Sequence, residues 1–181
     1  MWYSDPGNAR SSGIEPRTCC GQATLSRESQ IQMSSKLSIP PELDLLILAF
    51  PLHFTWEFLQ APLFRNMQDA THIEGIRICL QATLGDMIIA LIAFWMASLL
   101  AGTRQWAAMP SRRAIAGWLS AGLVVTVALE FYSTEVAGRW VYDVSMLRLP
   151  VIGTGIAPLL QWIIVPLLVL WYLRRLSAKI A

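Results

Sequence analysis

Four long apolar segments constrain this chain more than any other feature of its sequence. They cover about residues 43–64, 76–101, 114–136 and 154–173, and each is near or above the ~20 residues that cross a ~30 Å hydrocarbon core. Backbone polar groups in lipid must be satisfied within their own segment, so each is predicted to be an α-helix. The alternating ten-residue runs of a membrane barrel are absent from the sequence. The sequence therefore predicts an all-α polytopic membrane protein with four transmembrane helices in an antiparallel bundle.

Composition supports the membrane class and narrows the possible partners. Charged residues make up 14% of the 181 residues, whereas soluble domains carry about a quarter. The net charge of +2 is too small to indicate nucleic-acid binding. The three cysteines Cys19, Cys20 and Cys79 have no metal-ligand spacing and are odd in number, so we expect plain thiols.

The polar ends of the chain are predicted to flank one membrane domain. Residues 1–41 are rich in Ser, Gly and Pro and contain no apolar run of a signal peptide, so they are predicted to be a disordered tail. Met33 opens a compact start before the first apolar segment and is a candidate for the true initiator. Residues 42–176 form the predicted membrane domain, and residues 177–181 a basic C-terminal tail.

Basic residues in the connections predict the orientation of the helices. The loop after the second span and the C-terminal tail carry Arg and Lys without acids, whereas the other two loops balance their arginines with acids. This pattern predicts that both termini are cytoplasmic. Interfacial aromatic residues are then expected at the inner face, namely Trp106, Trp118, Trp171 and Tyr172, and at the outer face, namely Trp140 and Tyr142.

The first two spans carry polar side chains that are costly in lipid. In the first span, His53, Trp56, Glu57 and Gln60 follow the spacing i, i+3, i+4, i+7 and share one helical face. The second span carries Asp86, and the preceding glycine at position 85 is expected to let a neighbouring helix approach closely.

The third and fourth spans carry polar groups at a similar depth. Thr126 and Glu130 lie on the third span and Gln161 on the fourth. At 1.5 Å per residue, Glu57, Asp86, Glu130 and Gln161 each lie roughly 8–15 Å from the outer end of their span. An acidic residue at a helix centre costs ~3 kcal/mol, and no Lys or Arg lies at this level. Three carboxylates in one layer therefore cannot all remain ionised and unpaired.

Intramembrane acids of this kind suit acid–base chemistry or proton transfer. Glu57, Asp86 and Glu130 are the candidate acid–base or proton-binding residues, and a supporting polar layer is formed by His53, Trp56, Gln60, Thr126 and Gln161. The structural alternative is that these groups only join helices by hydrogen bonds.

A metal site is a weaker interpretation of the same layer. His53, Glu57, Asp86 and Glu130 could surround one ion. However, the Glu-x-x-His pairs of carboxylate-bridged di-metal sites are missing. The sequence therefore predicts no metal site, and it identifies no cofactor.

The loop before the fourth span is apolar and aromatic. It carries Arg139, Trp140 and Tyr142, and we expect it to lie in the outer interface and to cap the polar layer.

Several motifs resemble those of a family of small, uncharacterised bacterial four-helix membrane proteins. They are His53-x-x-Trp-Glu57-x-x-Gln60, Gly85-Asp86, Gly138-Arg-Trp140-x-Tyr142 and Pro158-Leu-Leu-Gln161-Trp162. The resemblance covers residues 43–175 and implies a multi-pass protein of the bacterial inner (plasma) membrane, without implying an activity.

The elements Gly138, Trp140, Tyr142 and Pro150 also resemble the lycopene-cyclase domain of carotenoid synthesis. That family places an acidic residue soon after the proline. Here the sequence continues as Val-Ile-Gly through residue 153, so the expected catalytic acid is missing.

Three functions follow as hypotheses. The first is an enzyme or binding protein for an apolar lipid or isoprenoid, using the carboxylates in a cavity open to the outer leaflet. The second is a proton- or cation-coupled transporter or channel subunit, expected to be a homo-oligomer because four helices are few for a transporter monomer. The third is a structural or assembly protein without catalysis. All three have the lipid bilayer as partner, and none involves nucleic acid.

Overall fold

The computed structural model describes residues 40–180, with side chains described as far as Leu176. The candidate start at Met33 and nearly all of the predicted tail lie outside these residues, as do the side chains of the predicted basic tail. The helices are α1 Pro41–Gln60, α2 Arg65–Gln68, α3 His72–Ala101, α4 Arg112–Phe131 and α5 Ile156–Ile180.

The ends of the helices differ from the predicted spans because of local signals. α3 begins four residues before the predicted start, since the Thr71 side chain accepts the Glu74 amide and the Glu74 carboxylate accepts the Thr71 amide. α1 ends at Gln60 and is followed by a 3-10 turn, Ala61–Leu63.

The later helices also depart from their predicted limits. α4 ends at Phe131 and is followed by a π-helical turn, Tyr132–Val136, which buries Ser133. α5 runs to Ile180, well beyond the predicted end of the fourth span at residue 173.

The four long helices form a closed ring of neighbours. α1 packs against α3 and α5, and α4 packs against the same two helices. Three segments of the described chain are long and apolar enough to cross a membrane, namely His72–Ala101, Arg112–Val136 and Ile156–Leu176. α1 does not meet this measure; its 20 residues include Glu42, Asp44 and Glu57. The described chain is thus all-helical and compatible with an integral membrane protein.

The main apolar core lies at the end of the bundle where α1 and α4 begin. Trp106 packs against Phe94, with 5.5 Å between ring centroids, and against Trp118 at 5.3 Å. Both tryptophans are 2% exposed. Trp106 and Trp118 therefore pack inside the bundle, and their position at the inner face of the membrane stays a prediction.

Close helix approach occurs at a different glycine from the one predicted. A Cβ atom on Gly85 would meet nothing within 4 Å, so the expectation for this residue is wrong. A Cβ atom on Gly122 would lie 2.7 Å from Cζ3 of Trp162. Gly122 in α4 therefore makes room for the indole ring of α5.

The two glycines give a matched test of this packing. We expect Gly122→Ala to lower the free energy of unfolding by about 1–3 kcal/mol, because the added methyl group overlaps the Trp162 ring. Gly85→Ala should be neutral or stabilising by up to about 1 kcal/mol through its helix propensity. Reversible unfolding in mixed micelles would measure both, and equal effects of the two substitutions would contradict the packing argument.

Candidate functional site

The polar face of α1 is turned towards its neighbouring helices. His53 is 1% exposed and Gln60 6% exposed, while Glu57 between them is half-buried. The opposite face carries Ile47 and Phe58, which are both exposed. Helical spacing thus separates a polar stripe, packed against α3 and α5, from an apolar outer surface.

One side-chain amide joins three helices at the centre of the site. Nε2 of Gln161 on α5 lies 3.0 Å from Oε1 of Glu57 and 2.9 Å from Nδ1 of His53, both on α1. The same nitrogen lies 2.8 Å from Oδ2 of Asp86 on α3. The structure therefore brings Glu57, Asp86, Gln161 and His53 together in what we call the amide cluster, which Gln60 completes.

The central amide of the cluster has fewer N–H protons than polar neighbours. The Gln161 amide carries two N–H protons and has three neighbouring polar atoms, on Glu57, His53 and Asp86. Nδ1 of His53 also lies 3.3 Å from Oδ2 of Asp86. A His53 tautomer with its proton on Nδ1 donates to Asp86, which leaves the two amide protons of Gln161 for Glu57 and Asp86.

Gln60 fixes the orientation of the central amide. Its Nε2 donates to Oε1 of Glu57 at 2.9 Å and to Oε1 of Gln161 at 3.4 Å. Both contacts are to oxygen atoms, so the Gln60 amide cannot be reversed without placing acceptors against each other. The same contact directs the Gln161 nitrogen towards the carboxylates.

Charge compensation in the amide cluster is incomplete. Among the described residues, no Lys or Arg forms an ion pair with Glu57 or Asp86, and the charged partner available to Asp86 is the His53 ring. The two adjacent carboxyl groups therefore depend on the amides of Gln161 and Gln60 for their hydrogen bonds.

Glu130 occupies a second position in the polar layer. It is buried on α4, and its Oε2 accepts a hydrogen bond from the Tyr142 hydroxyl. The predicted three carboxylates therefore divide into the Glu57–Asp86 pair and a separate Glu130–Tyr142 pair.

Tyr142 anchors the loop before α5 over this layer. Its oxygen accepts the Gly155 amide at 3.2 Å, and its ring lies 5.5 Å from that of Phe64. The guanidinium carbon of Arg148 lies 4.9 Å from the ring centroid. Burial first, and then the Glu130 carboxylate, raise the pKa of the Tyr142 phenol above its usual range. The hydroxyl therefore stays protonated and donates a hydrogen bond to Glu130.

The remaining predicted residues lie around the site without joining the amide cluster. Trp56 is half-buried against the apolar core, and Thr126 is buried one turn before Glu130. Trp140 packs edge-on against Phe64 at 6.4 Å. Arg139 is exposed, and its backbone amide donates to the Ser133 carbonyl at 2.8 Å.

Sequence reasoning missed the residues that hold the loop in place. Phe64 pairs with Tyr142 in an isolated antiparallel bridge, with the Arg65 amide donating to Val141 and the Asp143 amide to Leu63, each at 2.9 Å. A Cβ atom on Gly155 would lie 3.2 Å from the Tyr142 ring. The Gly-x-Gly pattern at 153–155 indicates that another group can come close to the backbone there. No sequence pattern indicates the bridge between Phe64 and Tyr142.

The described residues contain no group of three or more His, Cys, Asp and Glu residues that could hold a metal ion. Compared with protein families, curated proteins and solved structures, the chain has no match. The candidate site therefore has to be interpreted from its own chemistry.

Replacing the central amide should destabilise the bundle. Gln161→Leu keeps the side-chain size but leaves Glu57 and Asp86 without their shared donor, so we expect a loss of about 1–3 kcal/mol in the free energy of unfolding. Gln81→Leu is the matched control, because Gln81 is exposed on α3. If both variants unfold alike in mixed micelles, the amide does not hold the carboxylates.

Proposed function

We propose that this protein is a bacterial inner-membrane protein with four spans and an intramembrane acid–base site for an apolar lipid of the isoprenoid class. The observation that carries the proposal is the amide cluster. One amide nitrogen lies within 3.0 Å of two carboxylates and one imidazole nitrogen, and no Lys or Arg among the described residues pairs with those carboxylates.

The fourth span is supported by how α1 packs. Its Glu57 and Gln60 side chains form hydrogen bonds with Gln161 of α5, while apolar residues such as Ile47 and Phe58 form its outer face. A helix whose polar groups are satisfied by its neighbours can cross a bilayer despite low overall apolarity. Four spans place both termini on the same side of the membrane. The excess of Arg and Lys in the loop after the second span and in the C-terminal tail indicates that this side is cytoplasmic.

Cysteine labelling in spheroplasts tests this topology. Val144 and Met109 are 91% and 90% exposed and lie in successive loops, so a cysteine at position 144 should react with an impermeant maleimide from outside. A cysteine at position 109 should react only after permeabilisation. In the chain expressed from its first residue, the native Cys19 and Cys20 should behave like position 109. Their labelling in intact spheroplasts would show that α1 does not span.

Within the amide cluster, the residues have distinct roles. Glu57 is the least buried member, so it is the group that meets the substrate. Asp86, with Oδ2 3.3 Å from Nδ1 of His53, is the second group that exchanges a proton with the substrate, together with His53. Gln161 and Gln60 orient the carboxyl oxygens and are positioning residues.

The chemistry that fits two adjacent carboxyl groups is movement of a carbon–carbon double bond. The protonated group donates its proton to one alkene carbon, and the ionised group removes a proton from the carbon beside the resulting cation. The double bond shifts, and the site returns to its starting number of protons. An isoprenoid suits this step because its substituted alkenes stabilise the cation and its apolar chain reaches the site from the bilayer.

Deuterium incorporation tests the acid–base proposal. Purified protein is incubated in deuterated buffer with lipids extracted from expressing cells, and the lipids are screened by mass spectrometry. We expect a lipid that gains deuterium with the wild type, and a rate at least about a hundredfold lower with Glu57→Gln, since general acid–base groups contribute 10²–10⁴-fold.

Glu135→Gln is the matched control, because Glu135 is exposed on the π-helical turn. This variant should exchange at the wild-type rate. Proton flux into liposomes that needs Glu57, without any labelled lipid, would instead support the transporter hypothesis. Absence of both effects, with stability unchanged or raised by Glu57→Gln, would support a structural role.

A further inference from the structure

A small recess lies near the C-terminal end of α5, outside the polar layer. It has a volume of about 120 Å³ and is lined by Trp171, Tyr172, Arg175 and Leu176. The two aromatic side chains are 53% and 45% exposed. Two rings, one guanidinium group and one aliphatic side chain therefore surround a single concave surface.

Among the residues that the structure describes, Arg175 has no acidic partner at this recess. Its guanidinium carbon lies 4.9 Å from the centroid of the Trp171 ring, so a cation–π contact orients the planar group. Neither of the two ion pairs found among the described residues includes Arg175. Its N–H donors are available to an anion from outside the chain.

The recess lies where a span of α5 meets the headgroup region. The apolar run of this helix continues to Leu173 and is followed by Arg174 and Arg175, so the recess lies where apolar residues give way to charged ones. Exposed Trp and Tyr residues are enriched at this level of a membrane, where their apolar rings and polar tips are both accommodated.

The end of the bundle that carries the recess is basic. One apolar core cluster contains Leu45, Trp106, Ala114 and Leu173, which places the start of α1, the start of α4 and the end of α5 together. The arginines of this end are Arg104, Arg112, Arg113, Arg174 and Arg175. The acids of this end are Asp44 and Glu42, and Glu42 is paired with Arg104, with 2.6 Å between Oε1 and Nη2. Five arginines against two acids leave an excess of positive charge among the described residues.

We propose that this recess binds the headgroup phosphate of an anionic phospholipid. Arg175 donates two parallel hydrogen bonds to the phosphate oxygens, as a guanidinium fork does. The rings of Trp171 and Tyr172 pack against the glycerol backbone and the first carbons of the chains. Positive charge at this end favours an anionic over a zwitterionic lipid. The proposal does not depend on the acid–base function.

Lipid titration of the full chain in nanodiscs tests the proposal. Discs of phosphatidylcholine alone are compared with discs that contain increasing phosphatidylglycerol, and the thermal midpoint is followed. A ligand that binds the folded state raises this midpoint. We expect the wild type to respond to phosphatidylglycerol, and Arg175→Gln to need about tenfold more of it for the same rise.

Arg174→Gln is the matched control. It removes the same charge one residue away but does not line the recess, so it should respond nearly as the wild type does. Equal losses from Arg174→Gln and Arg175→Gln would mean diffuse attraction to the membrane surface and would overturn the proposal. No response of the wild type to phosphatidylglycerol would also overturn it.

A Trp171 variant and competition by inorganic phosphate test the site further. Trp171→Leu retains every charge but removes the ring against which Arg175 lies, so it should weaken the response several-fold; an unchanged response would overturn the proposed site. Inorganic phosphate in excess should not compete with the lipid. If it does, the recess binds free phosphate, and the assignment to a phospholipid is wrong.

Discussion

Burial of two adjacent carboxyl groups between helices is the constraint on which the rest of this structure depends. Glu57 and Asp86 come from different helices and meet at one nitrogen of Gln161. Removing them from water is tolerable only if donors and protons are supplied within the bundle. The amide of Gln161, the amide of Gln60 and the ring of His53 supply these donors, and they bring α1 and α5 into register with α3.

The third buried acid, Glu130, is stabilised in a different way. Glu130 receives its donor from Tyr142, a residue of the loop and not of a helix. The loop is held there by the bridge to Phe64 and by the amide of Gly155. Glu57 and Asp86 are therefore compensated by contacts between helices, and Glu130 by a contact from a loop.

Helical periodicity and depth were sufficient to predict much of the candidate site. The spacing from His53 to Gln60 identifies one face, and counting residues along each span places Gln161 level with Glu57. Neither argument could predict the partner of Glu130, because a loop has no fixed rise per residue. The close approach predicted at Gly85 occurs instead at Gly122, since a glycine shows where a neighbour can come near but only tertiary packing decides whether one does.

The same distinction explains the tryptophans. Trp106 and Trp171 both lie near the basic end of the bundle, yet Trp106 is 2% exposed and Trp171 53% exposed. The ring of Trp106 completes a core with Phe94 and Trp118, whereas the ring of Trp171 has Arg175 as its partner. A buried ring stabilises the fold, but an exposed ring that orients an unpaired guanidinium group creates an anion site at the membrane surface. Thus the two ends of the bundle differ in chemistry, with carboxyl groups enclosed towards one end and cations presented at the other.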